Sequence, residues 1–130
     1  MNWVAKAYPP LMLSTMRLWL AIAAVNGALA VAAGAFGAHG LEARLTPRLL
    51  EVFKTGAHYH MVHALAMGLA AMAQARWAAP LFLGGIVLFS GSLYLLALTG
   101  TGWLGAVTPV GGVLFLAGWS ALAYSALRRA

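Results

Sequence analysis

The chain has 130 residues, of which 63% are hydrophobic and only 8% are charged, whereas about a quarter of the residues in a soluble domain are charged. A single domain this apolar cannot cover its surface with polar groups, so its solvent is lipid. The absence of cysteine excludes disulfides, thiolate metal sites and a cysteine nucleophile, and the formal charge of +6 favours contact with anionic lipid over any role with nucleic acid.

Residues 1–15 are predicted to be an N-terminal extension, mobile or interfacial, that precedes a single domain over residues 16–130. Their apolar run, Leu11 to Leu13, is too short for the core of a signal peptide. Met16, which precedes Arg17 and a clean apolar segment, is an equally good start for the chain.

The first predicted span runs from Leu18 to Gly37 without a charged residue, about the length that crosses a hydrocarbon core as a helix. Its small residues recur at spacings of four and three and therefore share one stripe of the helix. Such a stripe lets a neighbouring helix approach closely. The stripe consists of Ala23, Gly27, Ala30, Gly34 and Gly37.

The second predicted span, Tyr59 to Ala75, is shorter and follows an amphipathic lead-in. Thr46 and Pro47 have the residue types of a helix N-cap and first turn. The lead-in has apolar residues on one face and charged ones on the other, as expected of a helix at the membrane surface. Gly56 is the predicted place for a bend between lead-in and span.

The third predicted span begins at Pro80 and runs to about Leu98, and the fourth begins at Thr108 and runs to Leu127. The segment between them is glycine-rich and uncharged. The sequence therefore predicts an all-α fold, an integral membrane bundle of four transmembrane helices.

Four spans place both termini on one side of the membrane. That side collects five cations, and the other has three cations together with both glutamates. Since positive charge accumulates on the cytoplasmic side, both termini are predicted to be cytoplasmic. The first set is Lys6, Arg17, Arg76, Arg128 and Arg129, and the second is Arg44, Arg48, Lys54, Glu42 and Glu51.

All four histidines lie where apolar sequence meets polar sequence, at the end of the first span and the start of the second. On a helix, His60 and His63 are neighbours, whereas His58 points away from them. The predicted ligand-binding residues at this outer rim are His39, Glu42, Tyr59, His60 and His63.

Three interpretations of this rim stay open. His39, His60 and His63, alone or with Glu42, are donors that suit zinc or copper, or His39 and one of His60 and His63 hold a haem axially. The imidazoles instead hydrogen-bond to loop backbone and to each other, and so fasten a loop to the bundle, with Tyr59 as an interfacial anchor. A role in proton handling is the third.

The predicted spans contain no charged residue, which argues against a coupled ion transporter. Asn26 is predicted to join helices. The chain has no aspartate for a Ser/His/Asp triad and no phosphate-binding loop, so no catalytic residue is predicted. These features favour a structural or accessory protein that packs with itself, lipid or a larger membrane complex. The alternatives are a metal- or haem-binding protein and a small-solute channel formed by an oligomer.

Four motifs occur in order between about Met16 and Arg128. They are Gly34-Ala35-Phe36-Gly37-Ala38-His39-Gly40-Leu41, Tyr59-His60-Met61-Val62-His63-Ala64-Leu65, Leu88-Phe89-Ser90-Gly91-Ser92-Leu93-Tyr94 and Thr108-Pro109-Val110-Gly111-Gly112. Together they resemble the domain of unknown function 423 family, small four-helix membrane proteins with YgdD-like and YwdK-like members and similarity to eukaryotic transmembrane protein 256. The resemblance implies an integral membrane protein, in the inner membrane for a bacterial chain, and brings no established activity. It directs attention to His39, Tyr59, His60, His63, Ser90, Ser92, Tyr94, Thr108 and Pro109.

Overall fold

The computed structural model describes residues 6–129, and every element within that range is helical. The α-helices are α1 (Pro10–Ala35), α2 (Pro47–Met72), α3 (Ala78–Gly85), α4 (Gly91–Thr99) and α5 (Thr108–Arg129). A π-helical turn, Phe36–Gly40, extends α1, and a second one, Ile86–Ser90, joins α3 to α4. A 3-10 turn, Gly102–Ala106, precedes α5. The all-α fold is therefore confirmed.

Three helical stretches are long and apolar enough to cross a membrane: Pro10–Gly40, Ala78–Thr99 and Gly102–Arg129. They correspond to the first, third and fourth predicted spans. The helix that contains the second predicted span, α2, is not among them, and its residues 47–63 include three charged side chains and three histidines.

The ends of α2 follow from local chemistry. The Thr46 hydroxyl accepts a hydrogen bond from the Leu49 amide at 3.3 Å, and Pro47 occupies the first turn, as the sequence predicts. The helix ends at Met72, before the predicted Ala75, because Gln74 adopts a left-handed conformation with φ of 54°. The start of α1 also differs from the prediction, since this helix already begins at Pro10. Residues 10–15 of the predicted extension are thus helical, and residues 1–5 lie outside the described range.

Among the three long helices, α2 is the most buried although its sequence is the most polar. Ten of its residues are buried, against two in α1 and three in α5. It packs against α1 on one side and against α3 and α4 on the other, and α5 packs mainly on α3. The order of contacts shows that α1 and α2 are antiparallel, because Gly37 lies against Phe53 and Ala23 against Gly68.

Gly56 lies in an uninterrupted stretch of α2, where the sequence favours a bend. Its missing side chain makes room for a neighbour instead. A Cβ placed on Gly56 would lie 3.1 Å from the Tyr94 ring of α4. The glycine therefore serves close contact between α2 and α4.

Glycines also set how closely α3 and α5 approach. The Phe115 ring of α5 occupies the space over Gly85, and the Phe82 ring of α3 occupies the space over Gly118. This reciprocal arrangement places an aromatic ring of each helix against the bare backbone of the other, which is the close packing that small residues permit between membrane helices.

The outer surface of the bundle is apolar on every side that α1, α4 and α5 present. Large side chains such as Leu29, Leu95 and Leu116 are more than half exposed. A soluble monomer rarely exposes apolar patches beyond a few hundred Å². The surface therefore fits lipid contact, as the composition predicts.

Candidate functional site

The His60 side chain connects three helices. Its Nδ1 lies 3.0 Å from the Tyr94 hydroxyl of α4, and its Nε2 lies 3.2 Å from Asn26 Oδ1 of α1. Asn26 Nδ2 in turn donates to the Ile22 carbonyl at 2.9 Å. His60 is 6% exposed, so these bonds lie inside the bundle.

The direction of these hydrogen bonds follows from the Ile22 carbonyl. A carbonyl only accepts, so the Asn26 amide turns its NH₂ toward Ile22 and its oxygen toward His60. The Nε2 of His60 must therefore carry the proton, and in the neutral ring Nδ1 accepts from the Tyr94 hydroxyl. Donation runs from α4 through α2 to α1.

The His63 side chain is bound in the opposite tautomer. Its Nδ1 lies 2.7 Å from the Tyr59 carbonyl and must donate to it, while the Trp119 indole Nε1 donates to its Nε2 at 3.1 Å. A second proton on Nε2 would point directly at the indole N–H. The neighbours of His63 therefore hold it neutral.

Aromatic rings enclose His63. Phe115 stacks on the imidazole with ring centroids 3.5 Å apart and an interplanar angle of 8°, and the Phe82 ring lies 5.7 Å away. The Trp119 ring meets it edge-on at 6.0 Å, and Tyr59 stacks in parallel at 5.9 Å. Edge-on aromatic pairs such as that with Trp119 are worth about 0.5–1.5 kcal/mol beyond their buried area.

Two serines near the π-helical turn Ile86–Ser90 also bind other helices. Ser90 is fully buried and donates to the Gly56 carbonyl of α2 at 2.8 Å. The Ser92 hydroxyl lies 2.6 Å from the Thr108 hydroxyl at the start of α5. Among the described residues, no buried side-chain nitrogen or oxygen lacks a hydrogen-bond partner. The interior polar groups thus satisfy one another.

The structure does not gather the predicted rim residues into one site. His39 is exposed within the π-helical turn Phe36–Gly40, Glu42 is exposed just after it, and His58 is exposed on α2. Within residues 6–129, no three His, Asp or Glu side chains lie together in a way that holds a metal ion. His60 and His63 are buried but diverge, because positions three apart on a helix differ by about 60° in direction.

Neither buried histidine has a nitrogen left over for a ligand. Each uses one nitrogen to donate and the other to accept. A metal or haem iron needs the unprotonated nitrogen, so binding at His63 would displace the Trp119 indole. The partners of these imidazoles belong to helices and not to the loop that the sequence suggests.

Sequence reasoning selected several of these groups and missed others. The sequence predicts that Asn26 joins helices, and the family motifs include Tyr94, Ser92 and Thr108. Trp119 was missed, since nothing in its spacing pairs it with His63. Its one clue is that a buried indole N–H requires an acceptor.

Comparison with known proteins gives matches over most of the chain. Residues 33–112 match the family described as protein of unknown function DUF423. The chain is 42% identical to UPF0382 membrane protein YwdK of Bacillus subtilis over 124 residues, which covers 87% of this chain and 98% of the relative. It is 44% identical to UPF0382 inner membrane protein YgdD of Escherichia coli over 121 residues, which covers 88% and 92%. No solved structure matches.

Proposed function

We propose that this chain, which belongs to the DUF423 family of membrane proteins of unknown function, is a four-span bundle with a structural or accessory role in its membrane. Two of its histidines, His60 and His63, fasten helices to one another. The observation that supports this most is that both ring nitrogens of His60 and of His63 form hydrogen bonds within the bundle.

The span that this proposal adds to the three apolar stretches is α2, which contains the second predicted span. A spanning helix can contain polar side chains where these meet other helices and not hydrocarbon. His60 and His63 are 6% and 4% exposed and fully hydrogen-bonded. The charged residues of α2, Arg48, Glu51 and Lys54, precede the predicted span that begins at Tyr59. The polar composition of α2 is therefore compatible with a span from Tyr59 onward.

Orientation follows from charge. With four spans, both termini lie on the side that has five of the eight cations and neither glutamate, and this side is cytoplasmic by the distribution of positive charge. In a bacterial host this places the chain in the inner membrane, in agreement with the names of its relatives.

The partners of the bundle are lipid and other protein. Its surface is apolar on the outside, and its polar groups are used inside, so no described buried group is available to a soluble substrate. The faces of α1, α4 and α5 are suited to a second copy of the chain or to a larger membrane complex. Membrane helices associate through close packing and need few polar bonds to do so.

One preparation tests this function. The chain is purified in a mild detergent from its own membrane after crosslinking, and its metal content, its visible spectrum and its crosslinked partners are recorded. We expect no stoichiometric metal, no haem absorption band, and a discrete homo-oligomer or complex. A lone monomer without partners, or a stoichiometric metal or haem, would contradict the proposal.

The tautomers supply an independent test. In nitrogen NMR of ¹⁵N-histidine-labelled protein, His60 should be protonated at Nε2 and His63 at Nδ1, and added Zn²⁺ should shift neither ring. His39 and His58, which are exposed, serve as internal controls for weak surface binding. Loss of the His60 or His63 signals at one equivalent of Zn²⁺ would favour the rim metal site instead.

A further inference from the structure

A cleft of about 640 Å³ opens at the end of the bundle where α1 begins and α2 ends. Its apolar wall includes Met12, Met16 and Trp19 of α1 and Ala71 of α2. Trp19 lies nine residues after the start of α1 at Pro10, about 13 Å along the helix. The apolar part of the cleft therefore extends well below the end of the bundle.

The polar groups of the cleft lie beyond the end of α2. Gln74 and Arg76 belong to its wall. Arg129 of α5 approaches the same place, because its guanidinium donates to the Ala73 carbonyl at 2.7 Å and to the Gln74 carbonyl at 2.8 Å. The Arg76 guanidinium lies over the Trp77 ring, 5.0 Å from its centroid. Two cations thus lie at the mouth of the cleft.

No acidic side chain balances this end. The chain has two glutamates, Glu42 and Glu51. Both lie where α1 ends and α2 begins, which is the opposite end of the antiparallel pair. The cleft therefore has an apolar depth and a cationic mouth.

We propose that this cleft binds one anionic glycerophospholipid, with an acyl chain along Met16 and Trp19 and the phosphate at Arg76. The proposal rests on the membrane placement proposed above, which puts the mouth at the cytoplasmic headgroups. Arginine is suited to phosphate, and an anionic leaflet attracts each basic residue near its surface.

A second copy of the chain fits the cleft less well. A symmetric dimer through this face would bring the same patch of both copies together. The cations of both copies would then lie in one interface with no acidic side chain near them, and juxtaposed like charges are unfavourable. The charge of the cleft thus selects an anion with an apolar tail.

Native mass spectrometry of the full chain tests the site. The chain is released from nanodiscs that contain phosphatidylglycerol and phosphatidylcholine in equal amounts with identical acyl chains. Arg76→Gln removes the one cation that belongs to the described wall of the cleft. Arg128→Gln, at the same end but outside the wall, is its matched control. Thr15→Trp fills the cleft from an exposed position of its wall, and Ser14→Trp is the control outside it.

We expect Arg76→Gln to lower the ratio of retained phosphatidylglycerol to phosphatidylcholine about fivefold, and Arg128→Gln to leave it unchanged. Thr15→Trp should lower retention of both lipids, and Ser14→Trp neither. An equal loss of preference in both arginine variants, or lipid retention in Thr15→Trp as in Ser14→Trp, would overturn the proposal. So would a Thr15→Cys disulfide between two copies in place of bound lipid. If the expected lipid ratios are not observed in a chain whose membrane topology is as proposed, only the lipid site is refuted and the proposed function stands.

Discussion

Gly111→Ala is the substitution whose effect the structure defines most sharply. At Gly111, α5 meets the π-helical turn Ile86–Ser90 backbone to backbone. A Cβ placed there would overlap the Phe89 amide nitrogen and lie 2.7 Å from its Cα. Since the obstacle is backbone and not the end of a flexible side chain, the two helices must move apart.

The magnitude follows from two opposing effects. Overpacking a close contact costs about 1–3 kcal/mol, and a contact with backbone lies at the upper end of that range. Alanine is the better helix former and recovers about 1 kcal/mol. Gly111→Ala should therefore lower the free energy of unfolding by about 2 kcal/mol.

Gly112→Ala is the matched control. A Cβ on Gly112 would lie 3.9 Å from the nearest atom of the Phe89 ring, an ordinary van der Waals contact. The gain in helix propensity is the same, so this variant should be unchanged or stabilised by up to about 1 kcal/mol. The assay is unfolding by SDS in mixed micelles, followed by circular dichroism. Equal effects of the two substitutions would refute the described packing of α5.

Three further predictions concern the interior bonds and the outer face of α1. A double-mutant cycle of His63→Leu and Trp119→Phe should give a coupling of about 0.6–1.7 kcal/mol, as for other hydrogen bonds between membrane helices, and a coupling near zero in the same unfolding assay would contradict the bond. Tyr94→Phe should cost about 1 kcal/mol and shift the ¹⁵N signal of His60 Nδ1 without moving those of His63; a shift of both rings would show that the two networks are not separate. Gly27→Ala, whose added Cβ has nothing within 4 Å, should leave thermal stability of the monomer unchanged or raised, and a fall in melting temperature would contradict the open space there.

The starts of α2 and α5 follow from local chemistry and are therefore readable in the sequence. Thr46 with Pro47 and Thr108 with Pro109 begin helices where residue type predicts. The face of α2 that includes Met67 and Ala70 is buried in the interior. Such features depend on neighbours along the chain or on one helix face.

The site could be predicted only in part, because its bonds join distant segments. That His60 and His63 lie on a buried face follows from helical spacing, but their partners Tyr94, Asn26 and Trp119 depend on how helices cross. The shared boundary of all four histidines suggested one cluster. Placement on a common side of a bundle does not bring side chains together when they project from helices in different directions.

In the proposed topology α2 crosses the membrane packed against more apolar helices, and cysteine labelling tests this crossing most directly. The chain has no cysteine, so single cysteines at Thr46, Arg76 and Thr101 report the loops on either side of α2 and after α4. With a membrane-impermeant maleimide on intact spheroplasts, we predict labelling at positions 46 and 101, and at position 76 only after permeabilisation. Labelling of both 46 and 76 in intact spheroplasts, with 101 protected, would show that α2 stays on one side and would contradict the account.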